Sequence, residues 1–196
     1  MKLKEVKFSR SVAINAEKIF LDNKNEVIFI WRSNVGKSSL MNALFHKKDL
    51  VKTSSRPGKT KLANIFVVNN KYNFTDLPGY WFAKLGKEIK EHLDALNSWY
   101  MEERIENIKR AVILIDAKIW PQQSDIDMYE YLLTIGVSMF VVLSKVDRLN
   151  KSETQKSVNH TQKQMPGQPI FTVSSKKNVW IDELWKALSA ELIKWK

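Results

Sequence analysis

The chain has 196 residues, 44% of them hydrophobic and 27% charged, enough for one ordinary domain with its own core and without wholesale disorder. It has no cysteine, which excludes a disulfide framework, thiol catalysis and cysteine–zinc sites and fits a reducing compartment. The net charge of +11 points to a polyanionic partner, nucleic acid first, beside the plainer reading of a soluble basic protein.

The basic start MKLKEVKFSR has no apolar stretch behind it and does not read as a signal peptide. Short apolar runs then alternate with helical patterns. A buried strand is expected over 27–31 and a helix over 37–46. Strands over 62–68 and 72–75 flank the turn Asn69-Asn70-Lys71 as a hairpin. A long charged helix over 87–107 precedes a strand over 111–115, a helix over 123–135 and a strand over 137–143. A helix over 152–164 and a short strand over 170–173 follow. The tail places Ile181, Leu184, Leu188, Leu192 and Trp195 at helical spacing. The longest apolar runs are about five residues, against about 20 for a membrane span. The pattern predicts a single domain over 1–196, in the α/β class, with a mostly parallel six-stranded sheet covered by helices on both faces. Ligands in such a sheet sit at the carboxyl ends of the strands.

The first strand is followed by Trp31-Arg32-Ser33-Asn34-Val35-Gly36-Lys37-Ser38. This is the phosphate-loop spacing, with Trp31 in place of the first glycine. Backbone N–H groups of such a loop at a helix N-terminus wrap an anion; Lys37 would reach the terminal phosphates and the Ser38 hydroxyl would bind Mg²⁺. Asp76-Leu77-Pro78-Gly79 follows the third strand, with a carboxylate suited to the Mg²⁺ shell and a glycine whose N–H can meet the γ-phosphate. Ser144-Lys145-Val146-Asp147 follows the fifth strand. A carboxylate at Asp147 can accept two N–H bonds from guanine while the Lys145 stem lies over the base, which selects guanine over adenine. After the sixth strand, the backbone of Ser174-Ser175-Lys176 can meet the guanine oxygen. Between the first helix and the second strand, the polar segment 53–60 reads as a mobile loop whose Thr60 would close on Mg²⁺.

With these segments in this order, the chain resembles the EngB/YihA/YsxC family of ribosome-biogenesis GTPases, in the TrmE–Era–EngA–EngB branch. The segments are 32–40, Pro57-Gly58-Lys59-Thr60, 76–80, 144–147 and 174–176. The resemblance implies a P-loop GTPase fold, GTP and GDP as ligands, and slow hydrolysis of GTP with Mg²⁺. It also implies a role in assembling the large ribosomal subunit and in division septation, and a cytoplasmic location. It places nucleotide contacts at 31–38, at Gly58, Lys59, Thr60, Lys61 and Leu62, at 76–79 and 144–147, and at Val173, Ser174 and Ser175. Lys37, Thr60 and Gly79 take the catalytic roles. Ser38 and Thr60 hold Mg²⁺, with Asp76 acting through water, and Asn34 matches an asparagine that helps hold K⁺ in related GTPases. Tyr80 stands where Ras-like proteins carry a water-orienting glutamine, so acceleration by a partner is expected. The partners implied are the large-subunit precursor and its rRNA, with no membrane, and the protein is expected to be a monomer.

Two other readings stand beside this one. A degenerate member would contact rRNA or ribosomal protein without hydrolysing GTP, which Trp31 favours. A P-loop enzyme acting on another nucleotide is opposed by Asp147. The cluster Lys47, Lys48, Lys52, Arg56, Lys59 and Lys61, opposed by Asp49 alone, reads either as an RNA-facing switch surface or as a solvated loop. His46, His92 and His160 have no metal-ligand spacing, and Asp125 and Asp127 read as solvated helix residues. Trp185 and Trp195 read as core. Glycine numbers 6 and tryptophan 7, where average usage predicts roughly 14 glycines. Trp31, Trp81 and Trp180 stand where the family pattern has glycine, with Trp120 a weaker fourth. A recurrent swap of this kind is the pattern left by UGA codons meaning glycine and translated as tryptophan.

Overall fold

Alternate residues of a strand face opposite sides of a sheet, so a strand buried at every position must be covered on both faces. In the computed structural model, which describes residues 1–16, 22–32, 34–51, 62–80 and 86–194, three strands meet that condition throughout. Two of them are the apolar β2 (Glu26–Trp31) and β6 (Met139–Ser144); the third, over 72–76, carries more polar residues. β5 (Ile108–Asp116), between β2 and β6, is buried from Ala111 onward. These Val/Ile/Leu-rich runs are the centre of a parallel sheet.

The other elements are β1 (Val6–Val12), α1 (Lys37–Leu44), β3 (Ala63–Val68), β4 (Tyr72–Asp76), α2 (Lys87–Glu103), α3 (Gln123–Thr134), α4 (Lys151–Gln164), β7 (Ile170–Thr172) and α5 (Ile181–Lys194). The strand order is β1-β3-β4-β2-β5-β6-β7. β4, β2, β5, β6 and β7 run parallel, while β1–β3 and β3–β4 pair antiparallel. The β3–β4 hairpin turns at Asn69 and Asn70, both at positive φ, which suits a tight hairpin and tolerates asparagine. α1 packs on α5, α5 on β2 and β5, α2 on β3, and α3 on β5.

Among the described residues the sheet therefore has seven strands, where six are expected. β1 escapes a periodicity search because only Val6 and Val12 are buried along it, while Phe8 is 50% exposed. Its register also shifts between Phe8 and Arg10. The expected helix over 87–107 ends at Glu103. Arg104 leaves the helix because its guanidinium turns inward to the fully buried Glu26 (Nε to Oε2, 3.1 Å). Glu26 Oε1 also accepts from Tyr100 (2.6 Å) and Thr75. No helix among the described residues is long and apolar enough to cross a membrane.

Candidate nucleotide site

The loop 32–36 joins β2 to α1, so it opens at the carboxyl end of the sheet. Gly36 caps α1 at φ +96, a conformation that favours glycine. A Cβ there would stand 3.5 Å from Lys145 Cε, an ordinary contact, so the backbone conformation is what calls for glycine. Lys145 Nζ donates to the Asn34 carbonyl (2.6 Å) and lies 2.8 Å from Asp116 Oδ2. Ser144 Oγ donates to the Val35 carbonyl (2.7 Å). The loop after β6 is thus tied to the loop after β2 through two side chains, although more than 100 residues separate them.

The 144–147 and 173–175 segments also meet. Ser174 Oγ donates to Asp147 Oδ1 (2.6 Å) and the Val146 N–H to the Val173 carbonyl (3.3 Å). The Ser174 hydroxyl holds the Asp147 carboxyl below its ordinary value, so it is an anion and an acceptor at neutral pH.

Lys37 and Asp76 form a buried ion pair. Burial pushes the Asp76 carboxyl up to about 6 against the opposing pull of Lys37, and burial lowers the Lys37 ammonium. Asp76 Oδ1 is buried with no hydrogen-bond partner. That orphan oxygen, on the carboxylate that pairs with Lys37 at the start of α1, fits a site completed by a hydrated Mg²⁺. The phosphate side fits less well. The Trp31 ring is buried at the end of β2, and the Lys37 ammonium sits 4.0 Å from its centroid. The lysine that would meet phosphate is held by the Asp76 carboxylate and by a cation–π contact instead.

The 76–80 segment is anchored on three sides. The Tyr80 N–H donates to the Trp31 carbonyl (3.0 Å), and Arg32 bridges Tyr80 in parallel. The Pro78 carbonyl accepts from Asn97 of α2 (3.1 Å). The buried Tyr80 hydroxyl donates to Asp125 Oδ1 (2.6 Å), and Arg32 Nε lies 3.7 Å from Asp125 Oδ2. Burial raises both the Tyr80 phenol and the Asp125 carboxyl. Asp125 is therefore no solvated helix residue: it is a buried hub joining α3 to both loops. Its sequence signal was faint, because an aspartate three residues into a helix is also an ordinary first-turn acid.

Leu77 and Gly79 are buried, Asn34 and Leu62 are exposed, and Ser175 is half-buried. Ser33, Gly58, Lys59, Thr60, Lys61, Trp81 and Trp195, with Lys52 and Arg56 of the basic cluster, lie outside the described residues. Among the described residues no group of His, Asp or Glu is placed to hold a metal by itself.

Comparison with known proteins agrees with this geometry. The family described as 50S ribosome-binding GTPase matches residues 26–145. A probable GTP-binding protein EngB of Clostridium kluyveri is 38% identical over 193 residues, covering 97% of each chain. A protein of the same description from Thermoanaerobacter pseudethanolicus is 42% identical over 158 residues, 81% of each. Among solved structures, a probable GTP-binding protein engB superposes with a TM-score of 0.73 at 24% identity, over 86% of this chain and 99% of that one. Aquifex aeolicus Era bound to GDP and aluminium fluoride superposes with a TM-score of 0.69 at 23% identity, over 83% and 55%. The last two establish the shared fold.

Proposed function

Since the chain belongs to the EngB family of GTP-binding proteins, we propose that it is a slow GTPase switch that assists assembly of the large ribosomal subunit in the cytoplasm and supports division septation. The observation that carries this reading is the tie from Lys145 and Ser144 to the phosphate-loop carbonyls of Asn34 and Val35. It ties the segment that carries the anionic Asp147 to the loop after β2 at one end of the sheet, which supports one nucleotide being held by both.

In this mechanism Asp147 accepts from the guanine edge, and Ser174 keeps it ionised and oriented. The Ser174-Ser175 backbone meets the base oxygen. Backbone N–H groups of the loop and the Lys37 ammonium meet phosphate oxygens. Mg²⁺, when bound, would neutralise charge developing on the transferred phosphoryl group. Ser38 and Thr60 would ligate it, and Asp76 Oδ1 would hold one of its waters. Asn34 is the residue toward K⁺. Tyr80 is turned into Asp125 and is not the group that orients water, so the chain relies on positioning and charge neutralisation, and an activating partner raises the rate.

The second reading, a binder of rRNA or ribosomal protein that does not hydrolyse GTP, is favoured by the Trp31 ring under Lys37. Titration with GTP, GDP and ATP analogues separates the two. The switch reading expects Trp31→Gly protein to bind both guanine nucleotides far more tightly than ATP. Failure of that variant to bind any of them would leave only the binder.

A further inference from the structure

The seven tryptophans divide by environment. Trp99 lies in α2 and packs against the core. Trp185 is buried in α5, stacks on Phe74 and donates its indole N–H to the Met1 carbonyl (2.9 Å). These are environments in which a large ring with one donor is well placed. Trp31, Trp120 and Trp180 are held in a different way. Trp120 has φ +66 and is 41% exposed; Trp180 has φ +60 and is 55% exposed. The left-handed region is costly for bulky residues and open to glycine, with asparagine the usual exception. Five of the nine non-glycine residues at positive φ among the described residues are asparagine. Trp120 also precedes Pro121, which itself drives a residue toward extended backbone. Trp180 stands two residues after Asn178, at φ +51, directly before α5. That pair of left-handed residues is the backbone of a Gly-x-Gly turn. One contact runs the other way: Trp120 stacks on the His160 ring at 4.6 Å. It is a surface contact and does not relieve the backbone. Trp31 has ordinary strand backbone, but its ring occupies the ground of the phosphate-binding lysine. That third case rests on the nucleotide reading above, whereas positions 120 and 180 rest on backbone geometry alone.

We propose that positions 31, 120 and 180 are glycine in the protein its cell makes, specified by UGA codons that the cell reads as glycine. Position 81 joins them by its place in the sequence. The glycine count then rises from six to ten, the loop after β2 recovers the full phosphate-loop pattern, and Lys37 is freed from the ring. Of the tryptophans kept, Trp99 and Trp185 fill helix faces. An ordinary divergence would not choose one rare residue for two unrelated turns and the end of β2.

The gene and the natural protein test this. UGA at codons 31, 120 and 180, with UGG at 99 and 185, is the expected result. Peptide mass spectrometry of the protein purified from its own cells should report glycine at the first three positions and tryptophan at the other two. UGG, or tryptophan by mass, at any of positions 31, 120 and 180 overturns the proposal, as does UGA at 99 or 185. Trp31→Gly protein that binds no guanine nucleotide would instead overturn the nucleotide reading and leave the codon result standing.

Discussion

Asp147 and Ser174 illustrate how one hydroxyl sets the charge state of a carboxyl group. The Ser174 hydrogen bond is the largest influence lowering the Asp147 carboxyl. A group depressed in the folded state contributes stability above its unfolded value and loses that contribution as pH falls through the folded one. Ser174→Ala should therefore move the Asp147 titration upward, toward the ordinary aspartate value, in a carboxyl-carbon NMR titration. An unmoved titration would assign the shift to the nearby lysines instead. Asp147→Asn, made in the Trp31→Gly background, replaces an acceptor by an amide that presents an N–H to guanine donors. Hydrogen bonds to charged groups are worth roughly 1.5–3 kcal/mol each, so two lost bonds should weaken GDP binding by about 100-fold or more. Calorimetric titration with GDP reads this directly, and unchanged affinity removes Asp147 from base reading.

At the scale of elements, two buried polar clusters fasten helices to the sheet. Arg104 and Tyr100, at the end of α2, converge on Glu26 at the start of β2. Removing one partner of a buried pair leaves a charge uncompensated, at a cost of about 3–5 kcal/mol. Arg104→Ala should lower urea-unfolding stability by that amount, whereas the exposed pair Lys87–Glu91 should be nearly silent when broken. The Tyr80–Asp125–Arg32 cluster fastens α3 to the loops after β2 and β4 in the same manner. Tyr80→Phe removes a single bond to a buried carboxylate, so a loss of about 1.5–3 kcal/mol is expected. If Tyr80 only anchors the segment, the variant keeps its GTPase rate at temperatures where it stays folded. A collapse of the rate without loss of stability would give the phenol a direct part in hydrolysis.

The whole molecule carries +11, a surplus that suits the phosphate-rich partner proposed above. Binding to large-subunit precursors should weaken steeply with salt through counterion release. It should also be tighter with a GTP analogue than with GDP, measured by sedimentation at several ionic strengths. Equal binding in both nucleotide states would remove the switch and leave a constitutive RNA binder. A flat salt response would place the contact on protein instead of RNA.

Local chemistry made much of this protein readable from its sequence alone. A fully buried parallel strand is a continuous apolar run, so β2, β5 and β6 announce themselves in five or six residues each. A phosphate loop is a run of small and basic residues between a strand and a helix, and the base-reading segments follow strand ends. Each is a short-range pattern in the chain. The rest depended on residues far apart in sequence. β1 exists because its backbone pairs with β3, and its side chains carry almost no burial pattern. Asp125 became a hub because Tyr80, 45 residues earlier, turns its hydroxyl onto it, and Arg104 ended its helix to reach Glu26, 78 residues away. The tryptophans needed both views: composition and motif position singled out 31, 81, 120 and 180, and the folded backbone, left-handed at 120 and 180, added a reason that owes nothing to the motifs. Burial and φ belong to the assembled chain, and no window of sequence contains them.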